Sequence, residues 1–286
     1  MQGEKPLTKA QRLALVFRGA GTRWALPASS VLEVAPPPEP GQQGAATRRG
    51  LVTEDFSGLL GKRAQRGLGA VTLVLDHAPP RALLVDAVEG VSDLATAPFF
   101  HLPAALQAPA GALIRGAVLL GSGLVLELVP QKLAELQPCR PPKAALDGLP
   151  EGKPTSPPVR ALVFEAGEGE LVGTALPLVT GVLRVAGLCP VPQAPLGHLG
   201  LLHHERSLLP IYDLGLLSGR ARGGGDLAVA LDIAGSAVGV AARRVIGVVE
   251  GFADRPEPAP GGQVCTDGDG RAIFFPAWDA WFPGAG

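Results

Sequence analysis

Ala14-Leu15-Val16-Phe17 returns as Ala161-Leu162-Val163-Phe164. Ala25-Leu26-Pro27 returns as Ala175-Leu176-Pro177, and Val31-Leu32-Glu33-Val34 as Val182-Leu183-Arg184-Val185. A repeat this long, roughly the size of a small domain, points to two related domains rather than a solenoid of short units. Function is then sought in a surface presented twice, not in one catalytic pocket.

With 286 residues the chain holds two domains, each large enough for its own core. Apolar residues make up 47% and charged residues 18%, which suits a well-buried globular protein and excludes a disordered one. The net charge is −1 and no block of Lys or Arg stands out, so nucleic acid and anionic membrane surfaces have no electrostatic footing. Cys139, Cys189 and Cys265 lack metal-ligand spacing, and an odd cysteine count suits a reducing cytoplasm. Met1 to Arg12 is polar, without an apolar export core. The longest apolar stretch, Ala112 to Val129, is broken by Arg115 and Glu127 and fits strands better than a membrane span.

Between Leu136 and Arg160 the texture changes. Pro138, Pro141, Pro142, Pro150, Pro154, Pro157 and Pro158 interrupt any periodicity. Proline fixes φ and removes a donor, so neither helix nor sheet continues. The expected division is a first domain over 1–136, a semi-extended linker over 137–158 and a second domain over 159–286. Outside the linker, apolar runs are short and bounded by Gly or Pro. Ala70–Asp76, Ala82–Val88 and Leu124–Val129 read as strands, as do Leu227–Ile233, Ala237–Ala242 and Ala272–Phe275. Hairpin turns are expected at Ala78-Pro79-Pro80 and Ala234-Gly235-Ser236. Helical signals are brief: one turn through Glu33 capped by Ser29 or Ser30, and another over Phe56 to Leu60. The class is all-β, built from small barrels or sandwiches.

Val191 to Gly219 carries the most specific pattern. Pro192-Gln193-Ala194-Pro195 precedes Gly200; Pro210-Ile211-Tyr212-Asp213-Leu214 follows, then Leu216-Leu217 and Gly219. This resembles the CheW-like domain of bacterial chemotaxis coupling proteins, with its Pro-x-x-Pro loop, glycine, Arg-Gly pair, Pro-Val-x-Asp-Leu motif and short helix. The first half resembles a worn copy. Gly44 is followed by Arg49-Gly50, Asp55-Phe56 leads to Leu59-Leu60-Gly61, and Leu84-Val85-Asp86-Ala87-Val88 resembles the family's Val-Asp-x-Val strand. The resemblance implies two domains, each a pair of five-stranded, SH3-like barrels.

There are departures. The first domain lacks the Pro-x-x-Pro segment before Gly44 and the Pro-Val dipeptide before Asp55. In the second, Glu205-Arg206 stands where Arg-Gly is expected, and Arg243 stands where Asp86 leads one to expect aspartate. In the family a glutamate of the short helix tends to face the arginine of the Arg-Gly pair. By that resemblance Glu33–Arg49 and Arg184–Glu205 are candidate ion pairs with both signs reversed, a swap that leaves the attraction unchanged. Aligning Arg184 with Glu33 needs one inserted residue after Pro177.

Other constellations favour bland readings. His203-His204-Glu205 lies on a strand, where adjacent side chains point to opposite faces and cannot converge on one metal. Asp267-Gly268-Asp269-Gly270 resembles a calcium loop without its later acidic ligands and reads as a hairpin turn. Phosphate loop, nucleophile elbow and dinucleotide fingerprint are all missing. His77 is expected at a turn, and His101 and His198 have no evident carboxylate partner. Cys189 and Cys265 read as buried packing groups. Phe274, Phe275, Trp278, Trp281 and Phe282 read either as a closing core cluster or as an exposed partner anchor.

The function implied by the resemblance is a cytoplasmic, non-catalytic adaptor without cofactor or metal. It would couple chemoreceptor cytoplasmic tips to the regulatory domain of a CheA-type histidine kinase and contact other CheW-like proteins in membrane-associated arrays. The alternative is a divergent scaffold of another signalling or motility complex. Partner-binding or loop-positioning residues are expected at Glu33, Arg49, Asp86, Arg184, Pro192, Pro195, Glu205, Pro210, Ile211 and Asp213. The second domain keeps the better-preserved motif, with Ile211 as an expected contact.

Overall fold

The computed structural model describes residues 12–37, 50–62, 69–106, 110–133, 158–218, 222–252 and 256–282. Backbone packing divides the chain into two units. The first comprises Met1–Leu102, Leu106–Pro141 and Cys189–Ala194; the second comprises Pro103–Ala105, Pro142–Leu188 and Pro195–Gly286. Of the expected linker, only Pro158 lies among the described residues.

Short apolar runs punctuated by glycine form strands wherever the sequence alternates, as pleated backbone requires. The first unit contains β1 (Leu13–Gly19), β2 (Thr22–Pro27), β3 (Val31–Ala35), β4 (Thr53–Asp55), β5 (Val71–Leu75), β6 (Arg81–Val85), β7 (Ala87–Asp93), β8 (Phe99–Phe100), β9 (Ile114–Leu120) and β10 (Gly123–Leu128). The second contains β11 (Arg160–Gly167), β12 (Glu170–Ala175), β13 (Val179–Arg184), β14 (His198–His204), β15 (Ser207–Tyr212), β16 (Leu227–Ile233), β17 (Ser236–Ala242), β18 (Arg244–Glu250), β19 (Glu257–Ala259), β20 (Gly262–Thr266) and β21 (Ala272–Pro276).

The two units repeat one topology. The first has sheets ordered β7-β1-β2-β10-β9-β8 and β3-β5-β6-β4. The second has β18-β11-β12-β21-β20-β19 and β13-β16-β17-β15-β14. Replacing each strand by its counterpart converts one set into the other, β14 alone having no counterpart among the described residues. Even the parallel contacts repeat: β2 with β10 and β4 with β6, then β12 with β21 and β15 with β17. The class is all-β, with two sheets per unit; among the described residues these hold six and four strands in the first unit and six and five in the second.

Local chemistry explains the connections. Ala234 and Gly235 close the β16–β17 hairpin with φ of 50° and 84°, the left-handed pair that a two-residue turn demands. Asp267 closes the β20–β21 turn. Its Oδ1 accepts the N–H groups of Asp269 and Arg271, and its Oδ2 accepts the Arg271 guanidinium at 2.7 Å. The turn expected to run through Glu33 is instead a 3-10 turn over Ala28–Ser30 without a side-chain cap. The Ser30 hydroxyl donates back to the Pro27 carbonyl at 2.6 Å, and Glu33 lies in β3 paired with Val74. Phe56–Leu59 is helical, as expected.

Each unit closes on aromatic groups. In the first, Phe56 sits edge-on to Phe17 at 5.4 Å and to Trp24 at 5.3 Å, all three without solvent exposure. In the second, Trp278, Trp281 and Phe282 join Phe164, Tyr212 and Leu214 in one core. The Trp278 N–H donates to Thr174 Oγ1 and the Trp281 N–H to the Gly261 carbonyl, so burial leaves neither indole unsatisfied. This excludes the exposed-anchor reading of Trp278, Trp281 and Phe282.

Candidate partner-binding surface

Pro210-Ile211-Tyr212-Asp213-Leu214 runs along β15 into the short helix Leu214–Leu217. β15 is flanked by β14 and, in parallel, by β17, so the motif is central in its sheet. Pro210 is buried and Ile211 has no exposure. A methyl group at Gly239 would lie 2.3 Å from Ile211 Cδ1, which shows how closely the isoleucine is packed. Asp213 is 1% exposed. Its Oδ1 accepts the Leu216 N–H at 3.0 Å, capping the helix, and its Oδ2 accepts the Gly223 N–H at 3.0 Å. Asp213 thus holds the 222–224 loop. In the first unit Asp55 caps Phe56–Leu59 through Ser57 N–H at 2.9 Å. Ile211 and Asp213 therefore act from inside the domain; a direct contact between Ile211 and a partner is incompatible with its burial.

The expected Arg184–Glu205 pair does not form. Arg184 lies 4.0 Å from Asp226, and Glu205 contacts His204 at 3.9 Å. Arg184 ends β13 at one edge of the sheet, whereas Glu205, with φ of 54°, turns the hairpin beyond the other edge. Strand register explains the error. Ala14 pairs with Pro27, but Ala161 pairs with Ala175, so Ala175 rather than Pro177 is the counterpart of Pro27. Val31 pairs with Leu75 and Val179 with Leu231, each ahead of a bulge, and Glu33 then matches Gly181. The Val-Leu-x-Val match is out of register by three residues. Arg49 lies outside the described residues, and with it the Glu33–Arg49 pair.

Ion pairs do join β1 to β7 and β11 to β18, and the sequence reading missed them. Arg18 on β1 meets Glu89 on β7 at 2.7 Å. Glu165, its counterpart on β11, meets Arg244 on β18 at 2.5 Å. The signal was Arg18 and Glu165, each following the repeated Phe. Glu89 is held below the usual carboxylate range by hydrogen bonds from Arg23 and Arg18. Glu165 is lowered by the Gly169 N–H and by Arg244.

Asp86 is half-buried, and its carboxyl is raised by burial and then by the Asp55 carboxylate. Its N–H donates to the Arg18 carbonyl at 2.9 Å; Arg243, its counterpart, donates likewise to Glu165 at 2.8 Å. Backbone geometry is kept while the side-chain charge reverses. Pro192 is buried and Pro195 exposed, with Gln193 at φ 58° between them. Pro192 falls in the Cys189–Ala194 segment counted with the first unit, and Pro195 in the second. Of the sequence-selected residues in the second unit, Arg184, Pro195 and Glu205 reach solvent.

Two further groups stand out. His198, at the start of β14, has both ring nitrogens shielded and without a hydrogen-bond partner, and its ring sits edge-on to Tyr212 at 5.2 Å. Burial pushes its pKa down to about 4. Cys189 is buried, with its thiol pushed up to about 12 by burial, which makes it an inert packing group. Among the described residues no three His, Cys, Asp or Glu side chains form a metal-holding group. No described helix is long and apolar enough to cross a membrane.

No curated relative matches the sequence. The scaffolding protein TtCheW from Thermoanaerobacter tengcongensis is a similar solved structure, 20% identical, covering 43% of this chain and 86% of its own, with a TM-score of 0.38. The family model of the CheW-like domain matches residues 160–274, from the first residue of β11 into β21. The CheW-like match thus falls on the strands of the second unit.

Proposed function

We propose that this chain is a non-catalytic adaptor of bacterial chemosensory signalling. It couples chemoreceptor tips to a CheA-type histidine kinase through protein–protein contacts, in the cytoplasm at receptor arrays. The supporting observation is the CheW-like match over 160–274, joined to the repeat of the same strand order in the first unit. The first unit is then a second, divergent copy of that domain, with 137–158 as the linker. Two copies in one chain raise valency, because a second contact on the same assembly becomes intramolecular. Contacts in the second unit run through its exposed groups, Pro195, Glu205 and Arg206, while Pro210, Ile211 and Asp213 hold the frame behind them.

The test is reconstitution of kinase autophosphorylation with a receptor cytoplasmic fragment, with and without the full chain. Receptor-dependent activation that Glu205→Lys weakens is the expected result. The proposal fails if the chain binds neither receptor tip nor kinase regulatory domain. Glu205-Arg206 in place of Arg-Gly favours a second reading, a scaffold of another complex. Binding to receptor or kinase without any change in phosphorylation would favour it.

A further inference from the structure

The outermost strand of the second unit's six-stranded sheet is β18, Arg244-Val245-Ile246-Gly247-Val248-Val249-Glu250. Among the described residues its hydrogen-bonded neighbour is β11 alone, so its other edge carries backbone groups available for pairing. The strand is charge-complementary to its own reverse, with Arg at one end, Glu at the other and Gly247 at the centre. The side chains of Arg244 and Glu250 are 69% and 63% exposed, and Val248 is 45% exposed. A methyl group at Gly247, where φ is 140°, would meet nothing within 4 Å, so the centre is open to a close approach.

We propose that β18 is a self-association edge, pairing antiparallel with β18 of a second copy of this chain about a two-fold axis at Gly247. That register sets Arg244 opposite Glu250 of the second copy, and symmetry repeats the contact at the other end. Val245 then faces Val249, and Ile246 faces Val248. Any slip loses both charge contacts together. Within the chain Arg244 meets Glu165 and Glu250 meets Arg160. The Arg160–Glu250 pair is exposed on both sides and is exchanged at little cost.

A bulge shapes the edge. Val163 pairs with Gly247 and Phe164 with Val245, leaving Ile246 extra. The added twist shortens the ladder, so register rests on the two terminal charge pairs. At the matching positions β7 carries Ala87 and Asp93, which are not self-complementary. The pairing is therefore particular to the second unit, and it closes as a dimer instead of extending into a filament.

The test is sedimentation of the full chain over a concentration series, with thermal melts as the check of folding. Wild type should show a concentration-dependent dimer. Arg244→Glu and Glu250→Arg should each weaken it by about tenfold or more, because each sets like charges opposite one another at both ends. Mixing the two variants should restore a heterodimer, since every terminal contact is again attractive. Val248→Lys leaves both intrachain pairs intact; it should weaken the dimer without shifting the melting temperature. A monomer at every concentration, a dimer indifferent to all three substitutions, or a mixture that does not recover would each overturn the proposal.

Discussion

His198 makes the acid stability of the second unit calculable. Its folded pKa is about 4 against an ordinary 6.5, with burial as the sole cause. The folded state thus resists a proton that the unfolded chain accepts. Stability is full above the unfolded value, falls as pH drops from 6.5 towards 4, and loses nothing more to this group below that. Linkage puts the loss at about 2 kcal/mol at pH 5, with a ceiling of about 3 kcal/mol when both states are protonated. Carboxylates held below their usual range act with the same sign at lower pH: Glu89, Glu165 and Asp267 support the fold above the carboxylate range, and that support is lost as pH falls through their lowered values. The assay is urea unfolding from pH 7.5 to 5, comparing wild type with His198→Phe, which keeps an aromatic ring against Tyr212. The wild-type curve should fall more steeply, and the gap between the two proteins should change by about 2 kcal/mol across that range. Parallel curves, or an NMR titration of the His198 ring near pH 6.5, would refute the reasoning.

Other expectations follow from burial and register. Ile211→Asp should unfold the second unit rather than weaken a surface contact, and Ile211→Ala should cost about 2–5 kcal/mol in chemical denaturation. Asp213→Ala should destabilise by about 1–3 kcal/mol and speed hydrogen exchange at Leu216 and Gly223, the two amides it holds. Double-mutant cycles should give measurable coupling for Arg18–Glu89 and Glu165–Arg244 but none for Arg184–Glu205; coupling only in the last would reverse the register assignment. Limited proteolysis should cut first within the proline-rich 137–158, and cleavage scattered through both halves instead would contradict that boundary.

Much of this protein could be read from the chain alone, because strand formation is local. Apolar runs bounded by Gly and Pro can bury one face only as strands, and Ala234-Gly235 supplies the two left-handed residues of a hairpin. The repeat and the all-β class follow from such short-range chemistry. Tertiary structure alone decided which positions are equivalent and which face the interior. The Ala-Leu-Pro and Val-Leu-x-Val matches look convincing as letters, yet cross-strand pairing makes Ala175, not Pro177, the counterpart of Pro27 and Val179, not Val182, the counterpart of Val31. Partners on neighbouring strands, not letter identity, set the register. For the same reason the ion pairs sit at Arg18–Glu89 and Glu165–Arg244, residues 71 and 79 positions apart that meet only when β7 and β18 pair with β1 and β11. Burial is likewise a property of the packed sheet: Ile211 reads as a surface contact in a motif, and becomes core once β14 and β17 flank it.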